Sequence, residues 1–197
     1  MQSNRLEAFS DGVLAIIITI MVLELKLPEH GDTIRQFWDS AGVGLLTYLL
    51  SFVYVGIYWS NHHHLFQVVR SVNGAVLWAN LHLLFWLSLV PLTQRWLDES
   101  SIARDPTVVY GVNLLGAAVA YYVLQRAIFR TPSGDALRDA LGRDLKGILS
   151  PILYLIGIGL AFITPWLGLV PPIIVALIWL VPDRRVERYL ARQDGAA

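Results

Sequence analysis

Residues 5–23 read Arg5-Leu6-Glu7-Ala8-Phe9-Ser10-Asp11-Gly12-Val13-Leu14-Ala15-Ile16-Ile17-Ile18-Thr19-Ile20-Met21-Val22-Leu23, a charged cluster that opens directly onto an apolar run. A run of this kind, close to the ~20 residues that cross ~30 Å of hydrocarbon, decides the fold class: it is a helix that spans a membrane. Such a helix does not need an arginine, a serine and an aspartate in its first turns. Ionisable groups at membrane depth are costly enough to point to a function. The same residues also read as ordinary features of a helix start, with Arg5 and Glu7 anchoring at the interface and Ser10 and Asp11 capping the first turn.

The rest of the chain agrees with the opening stretch. Of its 197 residues 55% are hydrophobic and only 15% are charged, and the mean hydropathy is +0.54. Ordinary soluble domains hold roughly 45–50% apolar residues. The formal net charge is zero, with the charges confined between apolar runs, so no basic surface is expected and a nucleic-acid partner is rejected. There is no cysteine, which removes disulfides, thiolate metal sites and cysteine nucleophiles. The first segment lacks a basic start and a small-residue cleavage site, and Glu24 and Lys26 follow it directly; it is read as part of the mature protein, not as a signal peptide.

Six apolar segments follow one another at about 8–27, 41–60, 74–93, 107–125, 147–165 and 167–182, which predicts six transmembrane helices in one membrane domain over residues 1–197. Pro106 suits the first turn of the fourth, and the fifth is expected to start between Gly147 and Pro151 by the same logic. Pro165, Gly168, Pro171 and Pro172 crowd the start of a short sixth helix. Basic residues gather at Arg126, Arg130, Arg138, Arg143 and Lys146 and in the tail at Arg184, Arg185, Arg188 and Arg192. The opposite loops carry Glu29, Asp32, Asp39, Asp98, Glu99 and Asp105. By the positive-inside rule both termini are cytoplasmic. Leu137, Leu141 and Leu145 recur at four-residue spacing among the charges of 132–146, which fits either an amphipathic helix at the inner interface or a solvated connector.

On a helical wheel Phe9, Gly12, Ile16, Thr19 with Ile20, Leu23 and Leu27 fall along one stripe, while Ser10 and Asp11 point away from it. Several copies of this helix around an axis would stack rings of isoleucine and leucine with one hydroxyl ring from Thr19. Ions do not shed water onto methyl groups cheaply, so a tight aliphatic ring gates by dewetting. Spacing alone favours a lipid-facing or helix-packing face, since nearly every membrane helix has such a stripe.

The pattern Arg5-x-x-x-Phe9-Ser10-Asp11 and its aliphatic continuation resemble the opening of the first helix in the lysosomal-type potassium channel family (transmembrane protein 175), prokaryotic branch. Tyr58-Trp59-Ser60-Asn61-His62-His63-His64-Leu65-Phe66 is similar to the family's Trp-x-x-His stretch, and the six-helix length extends the likeness in outline over the whole chain. The resemblance implies an all-α homotetramer of six-helix subunits, with the first helix lining a central pore that passes potassium, and the compact, single-repeat chain suggests a prokaryotic plasma membrane. It implies a constriction at Ile16 with Ile20 and Leu23 as further layers, and selectivity at Thr19. It further implies a structural polar network of Arg5, Phe9, Ser10, Asp11, Trp59 and Asn61 with His62 or His63. No cofactor and no substrate beyond monovalent cations are implied; the partners are the bilayer and other copies of the chain. The chain has no Thr-Val-Gly-Tyr-Gly loop, so a carbonyl-lined filter is not expected and the preference for potassium over sodium should be modest.

His62, His63 and His64 invite a metal reading, but consecutive helical positions are rotated by about 100° and cannot all face one ion. Inter-helix hydrogen bonding or an interfacial helix end is the expected use of this run. His82, alone among Leu81, Leu83, Leu84 and Phe85, is read as a buried hydrogen-bonding histidine near Asn80. Scattered serines such as Ser51, Ser60 and Ser88 give no nucleophile with a base, so an enzyme is not expected. The alternative to a channel is a proton- or cation-coupled secondary transporter using Asp11, Glu24 and the histidines, although the repeat symmetry such folds usually carry is not visible.

Overall fold

A computed structural model describes residues 3–26, 33–67, 69, 72–131 and 145–180, all helical apart from short connections. The helices are α1 (Ser3–Leu23), α2 (Ile34–Gln67), α3 (Gly74–Ser88), α4 (Val90–Glu99), α5 (Arg104–Phe129), α6 (Leu145–Ala161) and α7 (Pro165–Leu180). The stretches α1, α2, α3 with α4, and α5 are each long and apolar enough to cross a bilayer, while α6 and α7 are shorter apolar helices. With α3 and α4 forming one bent span, six membrane helices result. Leu27, the Leu137–Leu141 part of the proposed amphipathic segment and the basic tail lie outside the described residues.

Local chemistry moves several helix ends away from the apolar windows. The first helix begins at Ser3, so Ser10 and Asp11 sit well inside it instead of capping it. The second begins seven residues before the expected 41 because Thr33 and Gln36 form a capping box. Gln36 N donates to Thr33 Oγ1 at 3.3 Å and Thr33 N donates to Gln36 Oε1 at 3.2 Å. Its 34 residues extend about 51 Å, well beyond the hydrocarbon thickness. Asn73 caps α3 by accepting from Val76 N at 2.9 Å. In α6 the helix starts at Leu145, so Pro151 lies inside it and not in the first turn.

Leu89 separates α3 from α4, and the cause is Pro91, which has no N–H for the carbonyl of Leu87. Asn113 from α5 enters the break: with its amide oriented as its neighbours require, Nδ2 donates to Trp86 O at 2.9 Å and Oδ1 accepts from Val90 N at 3.3 Å. At membrane depth no water can satisfy those groups, so a side chain must.

The fifth helix is the hub of the bundle, packed on α3, α4, α6 and α7. Its Tyr110, Leu114, Ala117, Leu124 and Ile128 are buried along one seam. Lipid tails are as apolar as leucine, so such helices associate through close packing more than through any hydrophobic drive. Gly116 shows the requirement: a Cβ there would run into the Trp86 ring, and at Gly157 a Cβ would lie 2.8 Å from the carbonyl oxygen of Gly168 on α7. The first helix is the peripheral one, held by α2, α3 and α4.

Candidate functional site

Two opposite faces of α1 divide its residues. Leu6, Ser10, Leu14, Ile17 and Met21, at steps of four, four, three and four residues, are all buried against the bundle. The other face carries Phe9 at 52% exposure, Ile16 at 58%, Ile20 at 41% and Leu23 at 81%, with Gly12 and Thr19 also exposed. The aliphatic stripe is therefore turned away from its own chain.

The buried face is fastened by polar bonds at its amino-terminal end. Glu7 and Asp11, one turn apart on α1, meet His63 and Trp59, one turn apart on α2, as two rungs of an antiparallel ladder. Trp59 Nε1 donates to Asp11 Oδ1 at 3.1 Å, and His63 Nδ1 lies 2.7 Å from Glu7 Oε1. A carboxylate only accepts, so His63 carries its proton on Nδ1, and its Nε2 accepts from Gln67 Nε2 at 2.8 Å. The adjacent histidine turns into the bundle. Asn80 of α3 donates from Nδ2 to Ser10 Oγ at 2.9 Å, and its Oδ1 accepts from His62 Nε2 at 2.7 Å. Ser10 in turn donates to Leu6 O at 2.9 Å. His62, 1% exposed, thus carries its proton on Nε2, and its bare Nδ1 has no partner among the described residues. Two neighbouring histidines hold opposite tautomers because their partners differ.

These bonds bring together Ser10, Asp11, Trp59, His62 and His63 from the residues singled out in the sequence. Arg5 and Phe9 lie on the exposed side of α1 and take no part in the ladder. Asn61 bonds back to Ile57 O at 2.8 Å, and its carbonyl accepts from Tyr121 OH at 3.4 Å, so it ties α2 to α5 instead of to α1. Sequence reasoning missed Asn80 as the bridge and Glu7 and Gln67 as partners of His63. The i, i+4 spacing of Glu7 and Asp11 was the available signal for the ladder. His82 is not buried: it is exposed and accepts from Trp86 Nε1 at 3.0 Å on its own helix, while the buried histidine beside Asn80 is His62. Among the described residues no cluster of three His, Asp or Glu could hold a metal ion.

At the far end, ion pairs fasten α1 to α4. Arg95 reaches Glu24 at 2.7 Å and Glu99 at 3.1 Å, and Lys26 reaches Glu99 at 3.2 Å. These groups are largely exposed, so their contribution is small. Between the two fastened ends, Thr19 Oγ1 donates to Ile16 O at 2.9 Å. That bond uses the hydroxyl proton and leaves the oxygen lone pairs free as acceptors on the exposed face.

Fold and site together define an all-helical membrane protein whose first helix is held along one side by a polar seam and bare along the other. The profile of the family described as endosomal/lysosomal potassium channel TMEM175 matches residues 5–91. A potassium channel of Chryseobacterium is 50% identical over 194 residues, covering 96% of this chain and 98% of its relative. The solved structure of a lysosomal potassium-selective channel TMEM175 homologue from Chamaesiphon minutus superposes with a TM-score of 0.75 at 31% identity, covering 91% of this chain and 96% of that one. The human endosomal/lysosomal proton channel TMEM175 is 34% identical over 116 residues, which is 54% of this chain but 23% of the human protein. The chain belongs to the TMEM175 family, a family of ion channels and not of enzymes.

Proposed function

We propose that the protein is a potassium-permeable cation channel of the prokaryotic plasma membrane, formed by four copies whose α1 helices surround a central pore. Ile16, Ile20 and Leu23 form its aliphatic constriction, and Thr19 supplies the oxygen that favours potassium modestly over sodium. Both termini are cytoplasmic. The observation that carries this reading is the bare stripe on α1: Ile16 and Leu23 are 58% and 81% exposed on a helix fastened to its own chain at both ends. Relatives named as potassium channels at 50% and 31–32% identity supply the ion. A constriction of branched aliphatic side chains blocks ions by holding no water until it widens.

The test is flux in liposomes. The wild-type protein should pass potassium faster than sodium along the electrochemical gradient with no counter-substrate, and Ile16→Asn should wet the constriction and give a faster, less selective flux. Flux that requires a proton gradient or a second substrate would favour a coupled transporter instead, and unchanged flux and selectivity in Ile16→Asn would remove the constriction from this position.

A further inference from the structure

Away from α1 the bundle contains a cavity of about 40 Å³, partly open to the outside, walled by the rings of Tyr54, Tyr58, Tyr121, Tyr122, Tyr154 and Trp179 from α2, α5, α6 and α7. No residue of α1 lines it, so it is separate from the proposed pore. The polar atoms around it are largely satisfied by the protein itself. Tyr54 OH donates to the carbonyl of Pro172, Trp179 Nε1 donates to Ser150 Oγ at 2.9 Å, and Ser150 Oγ donates to Lys146 O at 2.8 Å. Ring faces make up most of what remains for an occupant, with the buried Gln125 amide beside them, so the cavity suits a largely apolar chain.

Two cations stand beside this aromatic wall, both at the end of the bundle where α5 finishes and α6 begins. The Arg126 guanidinium lies 5.1 Å from the centre of the Tyr122 ring and its Nε donates to Tyr122 OH at 2.8 Å. Lys146 Nζ lies 5.7 Å from the centre of the Trp179 ring and donates to Ile178 O at 3.1 Å. An apolar slot with aromatic walls and two positive charges at one end matches an amphiphile with an acyl chain and an anionic headgroup. We propose that the cavity between α2, α5, α6 and α7 binds an acidic phospholipid, its acyl chain against the tyrosine rings and its phosphate between Arg126 and Lys146.

The two cations set the headgroup preference and the rings hold the chain, so the contributions separate by mutation. Native mass spectrometry of the detergent-purified full chain, given either phosphatidylglycerol or phosphatidylcholine, should show phosphatidylglycerol retained with a preference of about tenfold. The double variant Arg126→Gln with Lys146→Gln should bring the two lipids to near-equal retention while keeping the wild-type helical content. Ala118→Phe, which places a ring in the cavity, should lose the bound phosphatidylglycerol while keeping the wild-type helical content. Soluble glycerol phosphate in excess should not displace the lipid. Equal retention of both lipids by the wild type, or retention indifferent to the two variants, overturns the proposal. The second result is also what occupancy by residues 132–144 or by a second copy would produce. Displacement by glycerol phosphate would assign the two cations to a free phosphate and overturn it equally.

Discussion

Asn80 ties three helices together, because its amide holds Ser10 of α1 through nitrogen and His62 of α2 through oxygen. Asn80→Leu strands both partners inside the bundle, and an unmade buried bond costs about 1–3 kcal/mol. The expected result is a lower unfolding temperature in detergent, with the helical content unchanged before the transition. Thr19 acts at the other face. Thr19→Val keeps the shape and removes the acceptor oxygen, so the potassium preference should fall; an unaltered reversal potential in mixed potassium and sodium would rule out the hydroxyl. The off-stripe position of Ser10 and Asp11 was legible from the helical period. Their partners were not, since Asn80 lies 70 residues from Ser10 in sequence and nothing local marks it. His82 misled because α3 is apolar on every side. In a membrane the outward face is as apolar as the inward one, so the pattern carries no phase to say which histidine turns in.

Element boundaries were legible wherever the chain punctuates itself and were lost wherever hydropathy alone was read. Thr33 and Gln36 announce the start of α2, yet Arg35 and Asp39 within its first turns push an apolar window to 41. The break at Leu89 follows from Pro91, but its repair by Asn113 comes from another helix and has no local signature. The end of α4 offers a direct test of such punctuation. Ser101 holds a left-handed φ of 51° and Ile102 one of 62°. Ser101 N donates to Asp98 O and Ile102 N to Leu97 O, both at 2.9 Å, and buried Ile102 and Leu97 accompany them, which is the Schellman pattern. A side chain in that region costs about 1–2 kcal/mol that glycine avoids. Ser101→Gly should therefore raise the thermal midpoint, by an amount corresponding to about 1 kcal/mol; a lower midpoint would mean that the Ser101 side chain contributes more than its backbone costs.

At the scale of the whole molecule the order of six spans could be read from composition and spacing, and the bundle confirms an all-helical membrane fold of the TMEM175 family. Which helix faces outward could not be read, because that depends on how α5 gathers α3, α4, α6 and α7 and leaves α1 at the margin. A bare aliphatic stripe on a marginal helix meets either lipid or water in a pore lined by its own copies, and the central claim is the second. The chain has no cysteine, so a single thiol introduced on the stripe is the only one present. The most direct measurement is the effect of a water-soluble, cationic methanethiosulfonate on potassium flux through Leu23→Cys in liposomes. The account predicts that flux falls on modification and returns on reduction, while the wild type is indifferent. A thiol at position 23 that stays unreacted while potassium flows would place the stripe in lipid and contradict it.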